Sequence, residues 1–245
     1  MPIYLIWGDD YEASNREIQE NVAELIDPVW KSFNLSQLDG NDPKQNLRGL
    51  EEIQSPPLGN GNRIVLIRRN QFCNNCPTEL ANKLEQAIQL IPNNTYLILH
   101  NANKPDKRLR STKLILQNIS SNPLSKEKSF ILPPPWDING QRKLVGNIAE
   151  SLNLKINHQT IDLIVDSIGN DSSLIKTELQ KLALFSAAAQ KELNHNQSQE
   201  ITKELVNKLI QNNSTNALEI SNLILKGDQA IALSKIKSLL ENGEP

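Results

Sequence analysis

The chain has 245 residues, 38% of them apolar and only 4% aromatic, with a formal net charge of −2. Such a length can bury the cores of one to three domains, which must be mostly aliphatic, and the near-neutral charge exerts no global pull toward nucleic acid. No apolar stretch approaches the ~18 residues that span a bilayer, and the N-terminus runs straight into a strand pattern with no basic segment before it, so no membrane contact is expected and the cytoplasm is favoured.

In chain order, the first element is the apolar run "IYLIW" (3–7), followed by "GDD" and a helical pattern over 11–26. A strand, a glycine turn and a helix form the setting of a phosphate-binding loop, G-x-x-x-x-G-K-[ST]. Laid from Gly8, that spacing puts Ala13 at the second glycine, Ser14 at the lysine and Asn15 at the Ser/Thr. Each replacement removes a job. Ala13 resists the φ > 0 geometry that wraps backbone amides around phosphate, Ser14 carries no charge, and Asn15 lacks the hydroxyl that binds Mg²⁺. Residues 1–52 also hold eleven acids against four bases, a local net of −7 that repels a polyanion. From these residues alone, a lapsed nucleotide loop and a plain α/β turn stand open side by side.

Further along, Trp30–Leu38 reads as a strand and 43–54 as a helix. The stretch "QSPPLGNGN" (54–62) is a run of turn formers in which Leu58 is the one large apolar side chain, either displayed or folded back. "RIVLIR" (63–68) and "TYLILH" (95–100) are continuous apolar runs, the mark of parallel strands buried on both faces. The second ends in His100-Asn101, not in the Asp-Glu that would hold a metal ion. "FCNNCP" carries Cys73 and Cys76, the only cysteines. Without a second C-x-x-C or an H-x₃₋₅-H they read as two ordinary loop thiols, not as a zinc or redox pair. His100, His158 and His195 have no metal-ligand spacing, and no metal site is expected. Helical patterns follow at 77–90 and 106–119.

The run "KPDKRLRSTK" (104–113) places Lys104, Lys107, Arg108, Arg110 and Lys113 against one Asp, a local net of +4. It is either a solvated face or a contact for DNA phosphate or an acidic neighbour. A last strand pattern lies at 128–132. "LPPPW" (132–136) then marks a domain boundary, since three prolines join neither a helix nor a central strand. Beyond it strands vanish. Helices fit 138–152, 158–168, 171–186, 201–211, 215–226 and 229–241, with Asp171 or Asn170 as a cap and "KELNHNQSQE" (191–200) as an exposed loop. Neither a G-x-S-x-G elbow nor an H-E-x-x-H helix is present.

Five stretches in order resemble the delta subunit of the bacterial DNA polymerase III clamp loader. They are "IYLIWGDDYEASNREI", "PPLGNGNRIVLIRR", "TYLILHNANKPDKRLRSTKLI", "GNDSSLIKTELQKLALF" and "LILKGDQAIALSKIKSLLENGEP". The resemblance implies α/β then all-α architecture. Residues 1–136 would be an AAA+-like (P-loop-type) parallel-sheet domain without a functional nucleotide site. Residues 137–211 would be a helical lid-like domain, and 212–245 an incomplete start of a helical collar. It also implies a non-catalytic subunit that binds and opens the sliding clamp for loading onto DNA during replication, without a cofactor. Its partners would be the clamp, the other loader subunits and, through the assembly, DNA. The family's adjacent apolar clamp-binding residues carry over to Pro57 and Leu58. The apolar faces at 217–240 lack their collar cover, so self-association there is expected. A basic-patch DNA-binding scaffold and a nucleotide hydrolase with an unusual site are the competing readings.

Overall fold

Five short segments pair side by side, all parallel: β1 (Ile3–Trp7), β2 (Leu35–Asp39), β3 (Arg63–Arg68), β4 (Thr95–Asn101) and β5 (Lys126–Ser129). Their spatial order in this computed structural model is β2-β3-β4-β1-β5. The residues described are 2–90, 92, 94–193, 200–201, 203–209, 224, 227 and 229–241. The chain divides into two compact units, Met1–Leu132 and Pro133–Pro245.

Side chains alternate across a strand, so an all-apolar strand must serve two cores. Ile3, Leu5, Val65, Ile67, Leu97 and Leu99 face one core, and Tyr4, Ile6, Ile64, Leu66 and Ile98 face the other. Helix α1 (Tyr11–Leu25) lays Ile18 and Val22 on the second face. The one-turn helix α2 (Lys31–Asn34) precedes β2. Helices α3 (Pro43–Glu52), α4 (Thr78–Leu90) and α5 (Arg110–Ser121) bring Leu50, Leu80, Leu84, Ala87 and Ile115 to the first face. Each fully buried Leu or Ile in these layers contributes about 1.5–3 kcal/mol. The sequence-derived α/β architecture is therefore the one observed, with every sheet pairing parallel.

Several boundaries differ from expectation, each for a local reason. The segment Trp30–Leu38 is not one strand. The carbonyl of Trp30 accepts from the amides of Phe33 and Asn34 and winds 31–34 into a turn of helix before β2 begins. The helix expected from 106 starts at Arg110, because the Asp106 carboxylate accepts from the Arg108 amide at 2.9 Å and holds a turn there. The last strand is 126–129, not 128–132, and it lies at the sheet edge with Lys126 and Lys128 on it, residues suited to an unpaired edge. Cys73 and Cys76 are free thiols in the loop between β3 and α4, as expected, and that loop is packed inward: Cys73 is wholly buried and Cys76 packs against the same core. Burial pushes the Cys73 thiol up to about 12, which leaves it protonated and inert.

The second unit contains α6 (Ile138–Ser151), β6 (Lys155–Ile156), α7 (His158–Ile168), α8 (Ser172–Leu193), β7 (Glu200–Ile201), α9 (Lys203–Leu209) and α10 (Gln229–Glu241). Its aliphatic core includes Val145, Ile148, Ile164, Ile175, Leu179, Leu182, Ile201 and Val206. Helix starts are capped by their own side chains: Asp137 accepts from Gly140, Asn157 from Thr160 and Asp171 from Leu174. The expectation that strands vanish here is corrected, since β6 and β7 pair in parallel, Lys155 with Glu200 and Ile156 with Ile201. Two-residue strands carry no period that a sequence could display. Helix α8 also runs to Leu193, into the stretch expected to be loop. The helix expected at 215–226, and with it most of the expected collar segment, lies outside the described residues. Among the described residues no helix is long and apolar enough to cross a membrane.

One ion cluster ties α1 to the edge strand. Lys126 and Lys128 donate to Glu17 at 3.2 and 2.8 Å, and Asn21 donates to it at 2.9 Å. Burial alone would raise the Glu17 carboxyl, but the bonds from Lys128, Asn21 and Lys126 outweigh it and hold the group at about 2. A depressed carboxyl stabilises the fold above its unfolded value of about 4.3, and that contribution is lost as pH falls from there toward about 2. Glu17→Gln should therefore lower thermal stability at neutral pH and leave a shallower acid limb between about pH 4.3 and 2, read by melting curves across that range. An unchanged acid limb would show that the cluster contributes nothing.

Candidate functional site

The loop after β1 is built by a backbone approach that only glycine permits. Gly8 sits at φ +135°, and a Cβ placed there would lie 1.8 Å from the Phe130 carbonyl oxygen. That closeness lets the end of β1 bond to the chain just past β5. Phe130 N donates to Trp7 O at 2.8 Å, Asp10 N donates to Phe130 O at 3.1 Å, and Gly8 N donates to Asn101 O at 3.0 Å. The remaining amides also turn inward. Tyr11 N donates to Asp9 O, Ser14 N to Asp10 O, and Ala13 N to the Asp10 carboxylate at 3.0 Å. Ser14 is fully buried, and its hydroxyl donates to Asp10 O at 2.7 Å.

In a phosphate-binding loop such amides point at the ligand. Here at least five of them are already bonded within the protein, and the N-terminus of α1 receives negative charge from Asp10 itself. A phosphate reaching these amides would have to break bonds worth about 1 kcal/mol each and displace a carboxylate of its own sign.

The metal position is filled in a similar way. Asn15 Oδ1, at the place of the metal-binding hydroxyl, accepts from Arg68 Nη2 at 2.7 Å. Arg68 ends β3 and is the register partner of His100 on β4. His100 is 5% exposed, lies edge-on to Tyr11, and has neither ring nitrogen hydrogen-bonded among the described residues. Burial first, then the charges of Arg68 and Arg69, lower its pKa to about 4, so it is neutral at pH 7. Arg69 turns aside to a bidentate pair with Asp39. The structure thus brings Gly8, Ala13, Ser14, Asn15 and His100 to one end of the sheet and adds Arg68, which the sequence reading passed over. The signal was there: two arginines, Arg68 and Arg69, end the apolar strand β3 beside the one that ends in His100.

The second candidate is the tip between α3 and β3. Leu58 is 51% exposed and belongs to none of the buried clusters, while Pro57 beside it is half-buried. The tip is held at its base. Asn34 is fully buried and bonds both ways to the Leu58 backbone, accepting from Leu58 N at 2.8 Å and donating to Leu58 O at 2.9 Å. Gly59, at φ +70°, lies against the Trp30 ring, and Asn62 donates to Leu25 O at 2.8 Å.

The basic run does not act as one patch. Arg108 pairs with Asp106, and Arg110 pairs with Glu85 and Asn82. Lys104, Lys107 and Lys113 are exposed and make no ion pair among the described residues.

A parallel five-stranded sheet in this order, with a helical unit after it, is an AAA+-like architecture. Residues 4–122 match the family model described as DNA polymerase III, delta subunit. These are 119 of the chain's 245 residues, and over them the chain is similar to that family. The Bacillus subtilis DNA clamp loader delta protein (YqeN) superposes with a TM-score of 0.70 at 20% identity, covering 100% of this chain and 69% of its own. The Thermotoga maritima RuvB Holliday junction branch migration motor gives a TM-score of 0.46 at 14% identity, covering 94% of this chain and 70% of its own. No curated protein matches the chain in sequence.

Gly8→Ala should destabilise the first unit by about 3 kcal/mol or more, because the backbone angle and the 1.8 Å overlap with Phe130 must both be relieved. Chemical denaturation measures this. A loss below about 1 kcal/mol would mean that the loop relaxes freely.

Proposed function

We propose that the chain serves as a non-catalytic clamp-loader subunit that docks Leu58 into an apolar pocket of a sliding clamp and so favours an opened ring. The observation that carries this reading, within the delta-subunit family, is an exposed leucine on a tip pinned at its backbone by a buried asparagine. Binding free energy is useful to a ring opener only where it differs between closed and open clamp. A rigid tip wastes little of it on ordering. The other loader subunits and, through them, DNA are the remaining partners of this reading.

A hydrolase is disfavoured by the inward-turned amides and by Arg68 at Asn15. Titration calorimetry with ATP and Mg²⁺ should give no binding, and a micromolar dissociation constant, about −8 kcal/mol, would overturn the non-catalytic reading. A DNA scaffold retains one observation in its favour, the three exposed lysines Lys104, Lys107 and Lys113, which make no ion pair among the described residues. DNA affinity that is strongly salt-dependent, in a chain with no clamp affinity, would select it.

Leu58→Asp should weaken clamp binding by about 2 kcal/mol or more, the loss expected when a charge enters an apolar pocket at a hot spot. Its melting temperature should stay close to the parent's, because the side chain lies outside the core. Parent-like clamp affinity in this variant would remove Leu58 as the anchor.

A further inference from the structure

The tip does not stand alone. Residues 27–34, which lead into β2, carry Val29 at 78% exposure and Phe33 at 62%, with Trp30 beside Phe33 at a ring-centroid distance of 6.3 Å. The Gly59 backbone lies against Trp30, and the carboxamide of Asn34, next in the chain to Phe33, holds Leu58. Two segments 24 residues apart are thus joined, and their exposed large apolar side chains are Val29, Phe33 and Leu58.

We propose that this joined surface is the clamp-docking face: Phe33 and Val29 contact the clamp alongside Leu58, and Asn34 is the positioning residue that sets the distance between them. The inference rests on the clamp-docking reading of Leu58 above.

Three features argue for it. The chain has only four Phe and three Trp, so aromatic surface is scarce. To leave Phe33 exposed beside an exposed Leu gives up burial that each would otherwise gain, and a cluster of that kind marks an interaction site. The segment is also preorganised. The Asp27 carboxylate accepts from Val29 N at 2.9 Å, its carbonyl accepts from Trp30 N at 3.0 Å, and Trp30 O accepts from Phe33 N at 3.0 Å. Aromatic anchors on a rigid frame are the usual composition of a binding hot spot. Finally, the reciprocal Asn34–Leu58 bonds replace the ladder that a strand pairing would supply, at a point where neither segment is in the sheet. This fixes Leu58 relative to Phe33, which a lone anchor would not need.

The test measures clamp affinity by surface plasmon resonance for Phe33→Ser, Val29→Ser, Asn34→Ala, Leu58→Asp and the double variant Asn34→Ala/Leu58→Asp. Melting curves serve as the fold control, and sedimentation reads self-association. Phe33→Ser is expected to weaken clamp binding about tenfold or more, and Val29→Ser by less. Because both side chains are exposed, both variants should fold. Asn34→Ala should weaken binding to a similar degree but add little once Leu58 is already changed, a non-additivity that a purely structural residue far from the contact would not give.

If Leu58→Asp weakens binding while Phe33→Ser and Val29→Ser do not, the joined surface is overturned and the Leu58 reading stands. If no variant, Leu58→Asp included, changes clamp affinity, the docking reading itself fails and the inference with it. Should Phe33→Ser change self-association and leave clamp binding intact, the face belongs to a second copy of the chain and the inference is likewise overturned. If Asn34→Ala fails to fold, the Phe33 and Val29 variants still decide between these outcomes.

Discussion

The first unit depends on a contact that no side chain could survive, the approach of the Phe130 carbonyl to the Gly8 backbone. Through it the end of β1 is bonded to the segment after the edge strand, and the chain is turned so that α1 begins on the opposite face of the sheet. In a nucleotide-binding loop the same turn frees a ring of amides to face a ligand. Here the turn spends them inward, on Asp9, Asp10, Asn101 and Phe130. The loop keeps the shape of its setting and satisfies its own hydrogen bonds.

Electrostatics at this end of the sheet follow the same logic. The N-terminus of α1 attracts an anion, and Asp10 supplies it. The position of a metal ligand needs a cation nearby, and Arg68 supplies that to Asn15. Both charges are covalently part of the chain, so neither can be gained or lost with a ligand. His100, forced toward its neutral form by burial and by Arg68 and Arg69, adds no charge at pH 7. Elsewhere on the unit, Leu58, Lys104, Lys107 and Lys113 are exposed.

Much of this was legible in the sequence where burial writes a period. "RIVLIR" and "TYLILH" announced a two-faced parallel sheet because no alternating polar residue interrupts them, and Asp171 stood where a cap should. The missing lysine and glycine of the loop were legible because their jobs depend on residue type. What was not legible depends on neighbours distant in sequence. Trp30–Leu38 looked like a strand, since aromatic and apolar residues favour one, yet Asn34 is wanted in a turn of helix where it can reach Leu58. Arg68 read as a strand end, because its bond to Asn15 spans 53 positions. Cys73 read correctly as a loop thiol, but its burial with Phe72 in the core beside α5 left no local signal. The pairing of Lys155–Ile156 with Glu200–Ile201 is two residues long, too short for any pattern.

The central claim is that a chain of AAA+-like form works by surface docking, with its nucleotide loop closed. The most direct measurement is the affinity of this chain for an immobilised sliding clamp, determined in parallel without nucleotide and with saturating ATP and Mg²⁺. The account predicts clamp binding with the same dissociation constant in both conditions. Binding that appears only with ATP, or a constant that shifts about tenfold or more on its addition, would contradict it.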